Sequence, residues 1–493
     1  MKREKFGSRL GFILVSAGCA IGIGNVWKFP YMCGEFGGAA FILIYLIFLL
    51  IMGIPVMICE FAVGRGSRRS VAASFEKLEP AGTRWHVTKW IGVIGCYMLM
   101  MFYTTVGGWM MYYCYRSIRG EFVGASSDTV AAGFTDMLGN APVMIFWVIL
   151  ICVAGFAVCY FGIQKGIERV SKGMMSALLL IMVVLAVHSI FLEGAGEGIR
   201  FYLVPDFVRM KEIGIGNVIF GAMSQAFFTL SIGIGAMLIF GSYIGRERSL
   251  AGEAISITAL DTFVALMAGF IIIPSCFAFG IEPGAGPSLI FITIPNIFAR
   301  MTGGRVWAAL FFLFLTFAAF TTIVAVFENI ISFSIDLFGW SRRKSVLVNV
   351  TAIIILSLPC VLGFNVLSGI EPLGAGTTIL DLEDFIVSNN LLPLGSLGYV
   401  LFCTRKNGWG WENFLNEANA GDGILFPRGL KRYISYVLPL IIIVIYLKGY
   451  YDMFAGRGTA VLAGWMAAAV LFLGFVLFCA AGAGKNKEKT GGM

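Results

Sequence analysis

Residues 18–30 read GCAIGIGNVWKFP, an apolar stretch that contains three glycines, an asparagine, a lysine and a proline. Glycine and proline are poor formers of helix interiors, and polar side chains are costly at membrane depth. The stretch nevertheless lies within an apolar segment long enough to cross a bilayer. It therefore predicts a membrane helix that breaks near its middle, at residues 20–24.

The composition supports a membrane protein. The 493-residue chain is 58% hydrophobic and 13% charged, with a mean hydropathy of +0.87, whereas a soluble domain is about 25% charged. Windows of about 20 apolar residues predict an all-α polytopic membrane protein with about twelve transmembrane helices. The predicted spans are 9–33, 38–63, 90–115, 143–162, 173–193, 218–243, 252–280, 306–334, 346–364, 378–403, 433–450 and 459–482.

Charge distribution predicts the orientation of these spans. The N-terminus, MKREKFGSRLG, carries basic residues but lacks a small-residue cleavage site behind a short apolar core, so it does not resemble a removable signal peptide. Most Lys and Arg residues of the alternating loops fall on the side of the N-terminus, which predicts that both termini are cytoplasmic. The net charge of +8 reflects this asymmetry and gives no reason to expect nucleic acid as a partner.

A second interrupted span carries the sequence QAFFTLSIGIG at 225–235. Glycines also serve close helix packing, and GIGNV occurs both at 22–26 and at 214–218, where an ordinary turn at the head of a span explains it. The two interrupted spans, however, are the first and the sixth of the chain. Breaks at corresponding positions indicate an inverted repeat of five plus five helices, with the binding site where the breaks meet.

The chemistry of a broken helix suits a particular kind of ligand. Unwinding frees carbonyl oxygens that can bind a cation or an ammonium group, and the amides that start the outer half-helix can hold a carboxylate. A third polar region, AAFTTIVAVFE at 318–328, puts adjacent threonines on an apolar helix, although such hydroxyls can also bond their own helix. A zwitterion together with a cation fits this pattern.

Several pieces of sequence, taken in order with the opening stretch, resemble the neurotransmitter:sodium symporter family and most closely its bacterial amino-acid transporters. The resemblance implies one transporter domain over 1–450, with repeat halves at 1–200 and 201–410 and an eleventh span in 411–450, followed by a twelfth span and a basic cytoplasmic tail over 451–493. The matching pieces are GIPVMICEFAVGR (53–65), FYTTVGGW (102–109), IQKGIERVSK (163–172), FFTLSIGIGA (227–236) and DLEDF (381–385).

The resemblance implies two sodium sites and one substrate site. Neutral oxygens with few carboxylates suit a monovalent alkali cation. The first sodium site would use Ala20, Asn25, Thr229 and Asp261, and the second Gly18, Ile21, Ala318, Thr321 and Thr322. The substrate site would use Ala20, Ile23, Gly24, Leu99, Tyr103, Phe228, Thr229, Ser231, Ile234, Thr322 and Val326.

Gating residues follow from the same resemblance. Lys28 and Asp384 match an outer ion pair. Glu60 matches an intramembrane carboxylate that lies against the unwound sixth helix, where a lone charge would be expensive. The cytoplasmic latch corresponds to Arg3, Phe6, Tyr243 and Asp336.

Two substitutions relative to animal relatives refine the expected ligands. Relatives that carry monoamines have an aspartate at the position of Gly22, so here the substrate is expected to supply its own carboxylate. Animal relatives bind chloride with positions that match Tyr45, Gln225, Thr229 and a serine, and Ala265 stands at the position of that serine. Asp261 would supply the missing negative charge, which predicts that chloride is not required.

The sequence thus predicts a sodium-coupled symporter that imports a hydrophobic amino acid, aliphatic or aromatic, through a bacterial cell membrane by alternating access. It carries neither a GxxxxGK[ST] nucleotide motif nor an HExxH-like cluster, so neither a nucleotide-driven pump nor a membrane enzyme is expected. The alternative is a non-transporting amino-acid sensor or scaffold of the same fold. A homodimer is compatible with the resemblance.

Overall fold

The computed structural model describes residues 4–281 and 288–481, and the regular secondary structure of these residues is helical apart from one isolated bridge between Arg248 and Asp422. The helices are α1 (Arg9–Ala20), α2 (Gly24–Glu35), α3 (Ala39–Ser67), α4 (Val71–Leu78), α5 (Trp85–Arg119), α6 (Ser127–Gly139), α7 (Ala141–Tyr160), α8 (Ile163–Ile190), α9 (Ala195–Leu203), α10 (Phe207–Ile213), α11 (Ile215–Thr229), α12 (Ala236–Gly241), α13 (Leu250–Ala278), α14 (Leu289–Arg300), α15 (Gly304–Phe338), α16 (Arg342–Leu362), α17 (Ile379–Thr404), α18 (Trp411–Ala418), α19 (Arg428–Arg457) and α20 (Thr459–Ala481).

The spans occur in the predicted order. Within the described ranges, ten helices are long and apolar enough to cross a membrane, and α1 with α2 forms an eleventh span that is bent by 58°. The sixth predicted span is divided into α11 and α12, which are separated by residues 230–235. The prediction of an all-helical membrane protein with broken first and sixth helices is therefore confirmed.

One predicted boundary is wrong. The fifth span was expected over 173–193, with the charged residues 165–172 in a loop, but α8 begins at Ile163. Glu168 explains the difference, because its carboxylate accepts hydrogen bonds from Lys172 Nζ at 2.7 Å and Ser8 Oγ at 2.9 Å. These charges are paired within and beside the first turns of the helix, so they do not prevent it from forming.

The break in the first span is set by local geometry. α1 ends at Ala20, and Ile21 takes an extended conformation with φ −68° and ψ 97°. Gly22 follows in a tight space, since a Cβ atom there would lie 2.8 Å from Thr322 Oγ1 and would also collide with the hydroxyl of Tyr103. Glycine is thus required at the point where the chain passes closest to the third and eighth spans.

The break in the sixth span has a left-handed backbone. Ser231, Gly233 and Gly235 have φ values of 50°, 107° and 82°. A positive φ costs a non-glycine residue such as Ser231 of the order of 1–3 kcal/mol, and such strain concentrates at functional sites. The conformation ends α11 at Thr229 and interrupts the helix over residues 230–235, where the N–H of Ser231 still reaches the carbonyl of Phe228 at 3.1 Å.

Glu60 of the second span satisfies part of this freed backbone. Its carboxylate is fully buried and accepts N–H groups from Gly233 and Gly235, each at 2.9 Å, and from Met237 at 3.2 Å. Backbone donors at membrane depth need a partner because lipid supplies none. The acidic side chain therefore fixes the sixth break from one side.

The tenth span fixes the same break from the other side. A Cβ atom at Gly395 of α17 would collide with the carbonyl oxygen of Gly233, and one at Gly233 would collide with that of Leu392. The backbones of α17 and residues 230–235 are consequently in direct contact. This contact seats the tenth span against the unwound segment.

We expect Gly395→Ala to destabilise the protein, whereas Gly398→Ala, one turn further along α17, should not. A Cβ at Gly395 meets backbone that cannot move without shifting the break, and overpacking of this kind costs about 1–3 kcal/mol. A Cβ at Gly398 has no atom within 4 Å. Thermal unfolding of the purified variants in detergent measures the difference, and equal melting temperatures for both variants would contradict this reading of the contact.

Candidate functional site

Oxygen atoms of the first and eighth spans converge beside the first break. The hydroxyl of Thr322 is buried in α15 and lies within 3.3 Å of four backbone carbonyl oxygens. Thr321 Oγ1 lies 3.1 Å from one of the four, the carbonyl of Ala318. The structure brings together all five residues predicted for the second sodium site. The four carbonyls around Thr322 belong to Gly18, Cys19, Ile21 and Ala318.

A second polar cluster joins the first, sixth and seventh spans. Asn25 Nδ2 donates to Thr229 Oγ1 at 3.0 Å and to Asp261 Oδ1 at 2.8 Å, and Thr229 Oγ1 lies 3.1 Å from Asp261 Oδ2. Asp261 is fully buried within α13. These are the side chains predicted for the first sodium site.

A small cavity lies between the two clusters. Tyr103 forms part of the cavity wall and is held against the first break, because its hydroxyl accepts the N–H of Ile23 at 2.9 Å. The lining is apolar apart from hydroxyl groups and backbone. Its residues are Ala20, Gly22, Gly24, Leu99, Tyr103, Phe228, Thr229, Ser231, Ile234, Thr322 and Leu392.

The lining differs from the predicted substrate site at four residues. Ile23 and Val326 were expected but do not line the cavity, and Val326 is fully buried in α15. Gly22 lines the cavity and was not predicted, and Leu392 of the tenth span lines it and was missed. The signal for it was the sequence NNLLP at 389–393, in which two asparagines and a proline interrupt an apolar span.

A larger cavity of about 600 Å³ lies outside the small one, and Phe228 and Leu392 line both. The expected outer ion pair is not formed here, although both partners are in the described chain. Lys28 Nζ lies instead 3.8 Å from the centre of the Phe228 ring, and Asp384 accepts a hydrogen bond from Ser388 Oγ at 2.6 Å. The cation–π contact replaces the predicted pair.

Three of the four residues predicted for the cytoplasmic latch lie in the described chain. Phe6 packs edge-on against Tyr243 with ring centres 6.0 Å apart. Asp336 accepts the N–H of Ser70 at 2.7 Å and pairs with Arg69 at 3.4 Å. Arg3, the remaining member, lies outside the described residues.

The positions that match the animal chloride site surround Asp261 in part. Gln225 Nε2 donates to the carbonyl oxygen of Gly24 at 3.0 Å, and both Tyr45 and Ala265 are fully buried. Thr229 is the member that contacts Asp261 directly, at 3.1 Å. The carboxyl group of Asp261 therefore lies beside residues that match the animal chloride site.

The chemistry of these clusters suits a hard monovalent cation. Each is built from carbonyl, hydroxyl and amide groups, and Asp261 is the single carboxylate among the predicted ligands. Within the part of the chain that the structure describes, no group of three His, Cys, Asp or Glu side chains could hold a metal ion. Oxygen donors of low total charge fit an alkali cation better than calcium or a transition metal.

The broken spans, the oxygen clusters beside them and the two adjoining cavities define a multi-pass membrane transporter. The sodium:neurotransmitter symporter family matches residues 3–132 and 130–453. The chain belongs to this family, is a sodium-dependent transporter and is not an enzyme.

Relatives and a solved structure agree with this assignment. An uncharacterized sodium-dependent transporter of Bacillus subtilis is 34% identical over 454 residues, which cover 91% of this chain and 98% of that protein. One of Haemophilus influenzae is 32% identical over 459 residues, with the same coverage. The crystal structure of MhsT in complex with L-phenylalanine matches with a TM-score of 0.82 and 36% identity, over 91% of this chain and 100% of that one.

We expect Glu60→Ala to lower stability more than Glu60→Gln does. Alanine leaves three buried backbone N–H groups at the sixth break without an acceptor, and each unpaired group costs about 1–3 kcal/mol. Glutamine retains one acceptor oxygen, which suits the bifurcated contact with Gly233 and Gly235. Melting temperatures of the purified variants should rank wild type, Gln, then Ala, and an alanine variant as stable as wild type would exclude this role.

Proposed function

We propose that this transporter couples inward sodium flow to the import of a hydrophobic amino acid by alternating access. The observation that carries the proposal is the cavity at the two breaks, which is apolar on its side-chain surface and adjoins two oxygen clusters. A cation bound in the first cluster would neutralise the substrate carboxylate at short range. Sodium binding and amino-acid binding would then support each other.

The substrate class follows from what the cavity offers and excludes. Leu99, Ile234 and Leu392 supply apolar walls, and no charged side chain lines the cavity. Gly22 has no room for an acidic side chain, because even a Cβ would collide with Tyr103. A monoamine would therefore lack a carboxylate partner from the protein. The solved relative MhsT was crystallised with L-phenylalanine, which supports an aliphatic or aromatic amino acid here.

The carboxylate and ammonium groups of such a substrate have partners at the breaks. We assign the carboxylate to the backbone amides of Ile23 and Gly24 and to the hydroxyl of Tyr103, which already accepts one of these amides. The ammonium group is assigned to the carbonyls of Ala20, Phe228 and Thr229 and to the hydroxyl of Ser231. Ser231 has a positive φ of 50° and lines the small cavity, which supports this assignment.

Alternating access requires gates on both sides of the cavity. On the outer side, Lys28 lies on the ring of Phe228, and both border the large cavity. We propose that Lys28 moves toward Asp384 when the outer side closes. On the inner side, Phe6, Tyr243 and Asp336 would separate when the cytoplasmic path opens, with both termini in the cytoplasm. A homodimer remains a prediction.

The experiment that tests the proposal is uptake of radiolabelled L-leucine and L-phenylalanine into proteoliposomes. We expect accumulation driven by an inward sodium gradient, loss of accumulation when choline or potassium replaces sodium, and little competition by glutamate or lysine. Binding without accumulation would favour the sensor or scaffold alternative. Preferred binding of glutamate, lysine or a monoamine would contradict the substrate class.

A matched pair of variants on α15 tests the assigned sodium ligands in the same assay. Thr322→Val removes the hydroxyl that contacts four carbonyls and should weaken apparent sodium affinity about tenfold, the effect of one lost polar contact. Thr316→Val removes a hydroxyl that contacts its own helix at Phe312 and should leave sodium affinity near wild type. Equal sodium affinities in the two variants would show that Thr322 is not a sodium ligand.

We further expect transport that does not require chloride. Asp261 is a fully buried carboxylate, and burial of an uncompensated charge costs several kcal/mol unless a cation lies beside it. Wild-type uptake should persist when gluconate replaces chloride, whereas Asp261→Asn should lose activity or gain partial dependence on chloride. A wild-type protein that stops working in gluconate would refute the assignment.

A further inference from the structure

The tenth span contributes a wall to the substrate cavity as well as a gate to its entrance. Leu392 is 3% exposed and lines the small cavity at the two breaks. It also lines the large outer cavity, together with its neighbours Ser388, Asn389 and Pro393. Phe228 is the only other residue that lines both cavities within the described chain. Leu392 and Phe228 therefore form the partition between the two chambers.

The tenth span presents Leu392 on the face that borders the large cavity. Residues Val387–Leu391 form a π-helical turn directly before Leu392. Ser388 and Leu392 are four residues apart, a spacing that puts side chains on the same face of a helix. Both residues border the large cavity, together with Asn389.

The backbone of Leu392 is also held in place by its contact with the unwound sixth span. Its carbonyl oxygen lies against Gly233, where a Cβ atom would collide with it, and Gly395 lies against the carbonyl of Gly233 one turn later. The side chain therefore projects from backbone that is already in contact with the unwound sixth helix. A larger substrate cannot push this wall away without separating the tenth span from the sixth break.

We propose that Leu392 is a specificity-determining residue that limits the size of the substrate side chain. The inference rests on the proposed function, since it names one wall of the same site. Leu99 and Ile234 bound the cavity from the third and sixth spans, and Leu392 closes it from the tenth. Side-chain length at 392 would then decide how far an aromatic substrate reaches toward the outer chamber.

The test compares binding of L-valine, L-leucine, L-phenylalanine and L-tryptophan to the full-length protein in sodium, by thermal-shift titration. Leu392→Ala should raise the affinity for tryptophan relative to leucine by about tenfold or more, the scale at which hydrophobic pockets discriminate size. Leu392→Phe should do the reverse and favour valine. Leu394→Ala is the matched control, because Leu394 is equally buried on the same helix and does not line either cavity.

The outcomes separate the inference from the function on which it rests. A change in the tryptophan-to-leucine ratio in the Leu392 variants alone supports the assignment. Ratios that stay at the wild-type value, or that change as much in Leu394→Ala, overturn it while the proposed function stands. A wild-type protein that binds none of the four amino acids in sodium refutes the proposed function itself. If Leu392→Ala does not fold, the Leu392→Phe ratio decides.

Discussion

The structure depends on one constraint, which is that backbone polar groups at membrane depth must find partners inside the protein. Two spans leave their helical hydrogen bonding at the middle of the bundle, and each break is tolerated because of what surrounds it. At the sixth break the partner is the carboxylate of Glu60, which accepts three N–H groups. At the first break the hydroxyl of Tyr103 accepts the N–H of Ile23, and the carbonyls of Gly18, Cys19 and Ile21 all approach the single hydroxyl of Thr322.

These two solutions are not equivalent. A carboxylate has several lone pairs and can accept hydrogen bonds from three donors at once, so these three backbone N–H groups at the sixth break all have an acceptor. A hydroxyl has one hydrogen and can satisfy only one carbonyl at a time, which leaves a concentration of negative partial charge at the first break. The carboxylate of Glu60 stabilises the fold at the sixth break, whereas the carbonyl oxygens at the first break keep lone pairs available to a cation. The two breaks are thus stabilised by different kinds of partner.

Most of the fold could be predicted from the sequence because apolar length and interrupting glycines are local signals. The breaks at Gly22 and at Gly233 and Gly235 were visible for that reason, whereas the position of Glu60 against the sixth helix was expected from the resemblance to the family. The start of the fifth span was missed because the charge of Glu168 is compensated by hydrogen bonds from Lys172 on the same helix and from Ser8, which is distant in sequence. Leu392 was missed, and Val326 does not line the cavity, because the face that a helix turns toward a cavity depends on packing against other spans, which hydrophobicity does not encode.

The thin partition formed by Phe228 and Leu392 has a pharmacological consequence. A molecule that fits the inner chamber and whose side chain extends between these two residues would occupy both chambers at once. It would hold the tenth span away from the sixth and keep Lys28 from leaving the ring of Phe228 for Asp384. Such a molecule would inhibit transport instead of being transported. A few methylene groups in the side chain would then separate an inhibitor from a substrate.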